Sequence, residues 1–354
     1  MRRPAGVAGG VLCLFSLLLA REYGPPVGSH MPGFTLRDQN GQTHSLQSLL
    51  GPKGAVILFF RSADWCPYCK AQLVELEKNK AEFAKLGLGL AAVSYDSVEV
   101  LHNFAQRRGI DFPLLADADS KTIRELNILN DTIPKDNAAF GVPFPGSFVL
   151  DAKGQIVAKY FEDDYRERYT SADILARQFG LAPSAGKSEV EGKQLRLTSS
   201  ASNSVVAAGQ RVALALDIDL KPNMHVYAPG VEGYIAIDWK MKDSAIASAH
   251  EVAYPKSEKL YLQAIDETVP VYRNHFRLTR DITIAPEATL QPLLDNAGTF
   301  TVEGTLRYQA CDDRLCYVPQ DLPLKWTFQF ENFDRQRVPL ELQRKAPVAN
   351  PAAH

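Results

Sequence analysis

One stretch restricts what this chain can fold into more than any other. The apolar run over residues 55–60 is too short for a helix and suits a buried strand, whereas Leu73, Leu76, Phe83 and Leu86 recur at helical spacing. Between them lies Arg61-Ser62-Ala63-Asp64-Trp65-Cys66-Pro67-Tyr68-Cys69-Lys70, so a strand, a helix start and two thiols coincide. Cys66 falls where the helix begins, where backbone N–H groups lack internal partners and the dipole favours an anion. A thiolate is such an anion. Pro67 suits the first turn, because its missing N–H would be unpaired there anyway. Cys69 lies one turn on, within reach of a disulfide with Cys66.

The gain from this placement lies in exchange. Lowering a thiol from a pKa of about 8.5 to about 7 raises the thiolate fraction at neutral pH from about 3% to about half. Intrinsic nucleophilicity falls at the same time, so attack quickens only about three-fold, but a low-pKa sulfur is also the better leaving group. The assignment is therefore Cys66 as an accessible attacking thiol and Cys69 as the resolving thiol. C-x-x-C also serves as half of a zinc site, but Trp65, the intervening Pro67-Tyr68 and the strand-to-helix setting favour redox chemistry, with no metal and no cofactor required.

At 354 residues the chain suggests two domains, and its 45% apolar and 23% charged content is that of a folded soluble protein. A net charge of −2 without a long basic run gives no footprint for nucleic acid. Arg2 and Arg3, then an apolar stretch over residues 11–20 and the polar Arg21-Glu22, have the layout of a secretory signal over residues 1–21, cut near Ala20. The stretch is short for a spanning helix; an uncleaved membrane anchor or a lipid on Cys13 is the alternative. Of the five cysteines, loss of Cys13 would leave two close pairs. An even count in an exported chain points to an oxidising compartment, periplasmic or secreted.

Over residues 22–182 strand and helix patterns alternate, as in an α/β sheet covered on its faces by helices. Asn40-Gly41 signals a hairpin, Gly109 stops a helix over residues 98–108, and Ser171 and Gly180 bound a last one. Gly28, Pro32-Gly33-Phe34-Thr35-Leu36, Trp65-Cys66-Pro67-Tyr68-Cys69 and the segment from Phe144 to Asp151 resemble the thioredoxin fold. More narrowly they resemble its redoxin branch, the alkyl hydroperoxide reductase and thiol-specific antioxidant-like proteins. The resemblance implies a cis Pro145 facing the Cys66 sulfur, with the backbone of Phe144 left free to pair with an incoming peptide. Trp65, Pro67, Tyr68, Phe144 and Pro145 would then position the substrate. The chain departs from the family at two places. Phe60 stands where many thioredoxins carry a buried carboxylate, so deprotonation of Cys69 falls to Asp64 or water. Ala63 and Phe59 stand where peroxiredoxins carry Thr or Ser and Pro, with Ser62 the nearest hydroxyl.

Residues 183–193 are small, polar and charged, as in a flexible linker. Over residues 194–331 the period becomes two, at Val212, Leu214, Leu216, Ile218 and Leu220 and at Leu322, Leu324, Trp326, Phe328 and Phe330. That pattern indicates an all-β, immunoglobulin-like antiparallel sandwich. A polar turn separates Cys311 from Cys316, which it can bring opposite one another. Together with His225-Val226-Tyr227-Ala228-Pro229-Gly230 and Val269-Pro270-Val271-Tyr272, this stretch resembles the N-terminal domain of the DsbD thiol reductase. In that family the paired cysteines pass electrons to exported substrates. Here four residues separate the cysteines where the familiar family member has five. A purely structural staple is the alternative, although so small a loop gives only about 2 kcal/mol. His225, His250 and His275 lack ligand spacing and are expected on the surface or in loops, and residues 332–354 as a loosely held tail.

The expected activity is thiol-disulfide exchange with exported proteins, served by a separate electron donor or acceptor and without a spanning domain. Cys311 and Cys316 would join Cys66 and Cys69 as reacting residues. A thiol peroxidase and a non-enzymatic adaptor with structural disulfides are the rival readings.

Overall fold

The computed structural model of the protein describes residues 21–263, 266–312 and 314–346. The expected leader with Cys13, and the last eight residues of the expected tail, lie outside them. In the first half, Asn40-Gly41 turns the hairpin of β1 (Thr35–Asp38) and β2 (Thr43–Ser45), with Gly41 at a φ of 77° that favours glycine. There follow α1 (Leu46–Leu49), β3 (Gly54–Phe59), α2 (Pro67–Lys85), β4 (Leu88–Ser94), α3 (Val98–Arg108), β5 (Leu114–Ala116), α4 (Lys121–Glu125), β6 (Gly146–Leu150), β7 (Ile156–Phe161), β8 (Arg168–Tyr169) and α5 (Ser171–Phe179). Seven strands form one mixed sheet in the order β2-β1-β5-β4-β3-β6-β7, parallel between β3, β4 and β5. Central β3 is buried at every position, and its alternation divides it between two cores. Val56 and Leu58 join Leu73, Phe83 and Phe104, while Ala55, Ile57 and Phe59 join Val93, Leu115 and Phe148. Helix α3 ends at Gly109 in the left-handed conformation, as expected; α5 is opened not by Ser171 but by Thr170, the Thr170 hydroxyl accepting from the Asp173 N–H.

The second half is almost entirely strands: β9 (Ala185–Glu191), β10 (Leu195–Ala201), β11 (Val205–Val206), β12 (Gln210–Leu220), β13 (His225–Tyr227), β14 (Asp238–Met241), β15 (Ala247–Ala253), β16 (Glu258–Leu262), β17 (Glu267–Arg273), β18 (His275–Ile284), β19 (Thr299–Tyr308), β20 (Ala310–Cys311) and β21 (Gln320–Phe330), with one short helix, α6 (Glu287–Leu290). Sheets β15-β18-β12-β10-β9 and β11-β21-β19-β14 enclose a core that includes Leu214, Leu216, Trp239, Trp326 and Phe328. A third sheet, β16-β17-β13-β20, carries Cys311 at its edge. This is the immunoglobulin-like sandwich that the alternation implied.

Three expectations are corrected. The flexible linker is largely an edge strand: β9 is mostly solvent-exposed in side chain, but its backbone pairs with β10 from Arg196–Glu191 onward. Its polar composition reflects a mostly exposed edge position, with Val190 packed against the sandwich core, and not freedom. The tail is not loose as far as Arg344, whose guanidinium donates to the Tyr95 and Ala118 carbonyls. Val338 is buried, and ion pairs from Asp334 and Arg337 bind it back onto the first domain. His225 is buried in β13, because its strand lies between two others; His275 is exposed and His250 half-buried, both within strands.

The halves are joined by shared structure. Strand β8, from the first domain, pairs in parallel with β12 of the sandwich through Gln210–Arg168 and Arg211–Tyr169. The buried Glu75 carboxylate of α2 accepts from the Ser171 N–H at 2.8 Å and from the Asn203 side chain at 3.0 Å. Arg177 of α5 binds both Asp173 and Asp281 of β18, and Arg211 of β12 binds Glu162. Gly209, at φ 74°, sits where the two halves touch: a Cβ there would run into the Arg166 carbonyl and reach within 3.2 Å of the Tyr68 ring. Gly209→Ala is therefore expected to destabilise the protein by about 1–3 kcal/mol from backbone strain alone. Urea unfolding checks this, and an unchanged midpoint would contradict the packing described.

Candidate redox site

Strand β3 ends at Phe59, and a six-residue loop carries the chain to the mouth of α2. The Asp96 carboxylate fixes that loop from below. It accepts from the Ala63 N–H at 2.7 Å and from the hydroxyls of Ser62 and Ser94 at 2.8 and 2.9 Å. Burial pushes the Asp96 carboxyl up to about 6, against these bonds and with some help from Asp64. Nothing local in the sequence marked Asp96, because it acts across 33 residues.

Cys66 is the N-cap of α2, its sulfur accepting the Cys69 N–H at 3.3 Å, and Pro67 is the first helical residue. Cys66 and Cys69 form a disulfide with their Cα atoms 5.3 Å apart. The Trp65 indole donates to the Tyr95 hydroxyl at 2.9 Å. The accessible sulfur expected from sequence is not found in this conformation: Cys66 is 1% exposed and Cys69 0%. Much of the surrounding contact comes from distant parts of the chain. Phe333 packs on the Tyr68 ring at 4.5 Å, and Tyr165 packs on its edge. Beyond Phe333 the chain passes from one flank of the motif to the other. The buried Lys70 ammonium donates to the Gln336 carbonyl at 2.9 Å and faces Asp334 at 3.7 Å. Asp64 accepts two bonds from Arg337, at 2.7 and 2.6 Å, and one from the Val338 N–H at 2.9 Å. Asp64 is thus committed to this strap, which weakens its candidacy as the base for Cys69.

Phe144 and Pro145 precede β6, and the pairing of Gly146 with Phe59 puts them at the same end of the sheet as the 60–65 loop. Two implications of the resemblance are corrected. Among the described residues no peptide is cis, so Pro145 is trans. The Phe144 N–H is not free for a peptide, since it donates to the Ile128 carbonyl at 2.7 Å. Ser62 is also occupied, being buried, bonded to Asp96 and accepting from the Asp64 N–H at 3.0 Å.

The second pair differs in access. Cys311 and Cys316 are disulfide-bonded with Cα atoms 4.0 Å apart; Cys311 is buried beside Tyr227 and Val271, whereas Cys316 is exposed. The Tyr227 hydroxyl lies 3.7 Å from the Cys316 sulfur. Asp312 shapes the turn, accepting from the N–H groups of Arg314 and Leu315. Leu315 and Val318 stand exposed beside it.

Comparison with known proteins agrees with both halves. Residues 27–159 match the AhpC/TSA family, and residues 194–325 match the N-terminal domain of the thiol:disulfide interchange protein DsbD. A putative peroxiredoxin of Mycobacterium tuberculosis strain H37Rv is 31% identical over 134 residues, covering 38% of this chain and 83% of its own length. The chain belongs to the AhpC/TSA family. Peroxiredoxin Bcp of Escherichia coli K12 is 28% identical over 143 residues, covering 39% of this chain and 86% of its own. Among solved structures, peroxidoxin BcpB of Mycobacterium tuberculosis shares 24% identity over 38% of this chain and 84% of that one, with a TM-score of 0.35. Thiol-based redox chemistry is common to the two family matches, and the DsbD match suggests an extracytoplasmic setting. Among the described residues no helix is long and apolar enough to cross a membrane.

The Asp96 carboxyl gives this AhpC/TSA domain a pH signature. Its folded pKa lies above the ordinary carboxylate value, so the stability it contributes is full below about 4 and is lost as pH rises through about 6. In urea unfolding across that window, Asp96→Asn is expected to flatten the decline relative to the parent. Parallel profiles would contradict the assignment.

Proposed function

We propose that this protein is an extracytoplasmic thiol-disulfide oxidoreductase acting through Cys66 and Cys69. The observation that carries the proposal is Cys66 at the N-cap of α2, its sulfur bonded to the Cys69 N–H and joined to the Cys69 sulfur. In the reducing direction, the Cys66 thiolate attacks a partner disulfide, forming a mixed disulfide and expelling one partner thiolate. Cys69, as its thiolate, then attacks the Cys66 sulfur. That closes Cys66–Cys69 and releases the second partner thiolate, so one disulfide is consumed and one formed. The reverse sequence oxidises the partner. Exported proteins with thiols or disulfides are the expected partners, and a protein-sized one must displace the strap of residues 333–338 to reach Cys66.

The exposed Cys316 supports a second role, in which Cys311–Cys316 exchanges with an outside donor or acceptor and relays electrons to or from the first pair. The peroxidase reading draws on the peroxiredoxin relatives. It is less favoured because Ala63 has no hydroxyl and that of Ser62 is held by Asp96. An adaptor with structural disulfides leaves the helix-mouth placement of Cys66 without a purpose.

Cys69→Ser leaves Cys66 unable to resolve. The expected outcome is a reducible mixed disulfide between Cys66 and a protein partner, or Cys311 or Cys316, detected by mass spectrometry. Rapid sulfenic acid formation with peroxide would favour the peroxidase, and an inert Cys66 would leave the adaptor.

A further inference from the structure

The two disulfides lie toward opposite ends of the sandwich. At one end β12 begins at Gln210, which pairs with Arg168 of β8, and the preceding Gly209 abuts the ring of Tyr68, between Cys66 and Cys69. Strand β21 finishes at the same end: Phe330 pairs with Val206, and Phe333 packs on Tyr68. The second pair belongs to the other end of both strands. β12 stops at Leu220, whose N–H binds the Asn274 carbonyl; the neighbouring Arg273 pairs with His225, and His225 with Cys311. β21 starts at Gln320, opposite Tyr308, and Cys311 and Cys316 lie on the short stretch of chain between those two residues.

Each of these strands has 11 residues and so spans about 33 Å. Neither can fold back. β12 is paired over most of its length with β10 on one side and β18 on the other, and β21 is paired with β19 from Gln320 to Gln329. The sandwich is fixed end-on to the first domain by the β8–β12 pairing, the Glu75–Asn203 bond and the ion pairs of Arg177 with Asp281 and of Arg211 with Glu162. Slack in the chain does not offset this. Helix α5 ends at Phe179 and β9 begins at Ala185, so Gly180 to Ser184 are the whole connection. Fully extended, that segment reaches about 17 Å, about half the length of β12.

We infer that the two disulfides are separate exchange sites, and that electrons pass between them only by way of a second molecule: another copy of this chain, or a thiol protein that visits both ends. Exchange requires the attacking sulfur to touch the disulfide it opens. Cys311 and Cys316, held about a strand's length from the motif, cannot do so within their own chain. In each transfer one dithiol closes to a disulfide and one disulfide opens to a dithiol, with two electrons and two protons passing across. The relay between the pairs therefore runs from molecule to molecule. This rests on reading both pairs as exchanging thiols, but its test uses a chemical oxidant, so a failed Cys69→Ser trap would leave the result untouched.

The full chain with Cys13→Ser, Cys69→Ser and Cys311→Ser keeps one thiol of each pair, Cys66 and Cys316. It is oxidised with diamide over a range of protein concentrations, and the links are mapped by mass spectrometry. Any Cys66–Cys316 link is expected to join two chains, to migrate as a dimer and to form about tenfold more slowly per chain on tenfold dilution. In urea the same chain should close the link within itself, which shows both thiols to be reactive. A Cys66–Cys316 link within one chain under native conditions, formed at a rate that dilution does not change, would overturn the inference. Should that variant not fold, the oxidised parent is given a limiting amount of dithiothreitol. Movement of the reduced state from one pair to the other should then slow by the same factor on dilution, and a dilution-independent rate would overturn the inference.

Discussion

The three hydrogen bonds that Asp64 accepts from Arg337 and Val338 hold the rest of the site in its observed state. Asp64 stands two residues before Cys66, and its partners come from beyond the last strand of the other domain. With Lys70 bound to Gln336 and Tyr68 under Phe333, the strap grips both flanks of the motif. A helix mouth prepares a sulfur for ionisation, but enclosure decides what can reach it. In this protein the first property is local to the strand, loop and helix, and the second is shared between the first domain's own core, in which both sulfurs lie, and a strap more than 260 residues away that holds Asp64, Tyr68 and Lys70.

The second domain is more than an appendage. Strand β8, which follows the first domain's sheet in the chain, pairs with β12 of the sandwich, and the buried Glu75 ties α2 to both Ser171 and Asn203. The helix that Cys66 caps and Cys69 lies on is thereby tied to the sandwich through hydrogen bonds between buried residues. The sandwich carries its own disulfide, and the two disulfides differ in access: Cys316 is an exposed residue, whereas Cys66 and Cys69 are buried.

The sequence made legible those features whose cause is local. The Asn40-Gly41 turn, the helix ending at Gly109, the strand before Cys66, the cap role of Cys66 and the alternation along β12 and β21 each follow from a few neighbouring residues. Features made by contact at a distance stayed hidden. The polar residues 185–191 look like a linker because an edge strand needs no apolar face, and only its partner β10 makes it a strand. Asp334, Gln336 and Arg337 read as a polar tail until Lys70, Arg107 and Asp64 are placed opposite them. Asp96 and Arg168 carry no motif, and their burial emerges only from the packing. The trans Pro145 and the occupied Phe144 N–H show the limit of transferring a family's loop onto a chain that bonds that backbone to Ile128.

The most direct test of the enclosure is the order in which the two disulfides open. Oxidised protein is given a limiting amount of dithiothreitol, alkylated at intervals and digested, and each cysteine is quantified by mass spectrometry. The exposed Cys316 predicts that the Cys311–Cys316 bond is reduced first, with Cys66–Cys69 following more slowly. Reduction of Cys66–Cys69 first, or at an equal rate, would show that the strap and sandwich do not close the site.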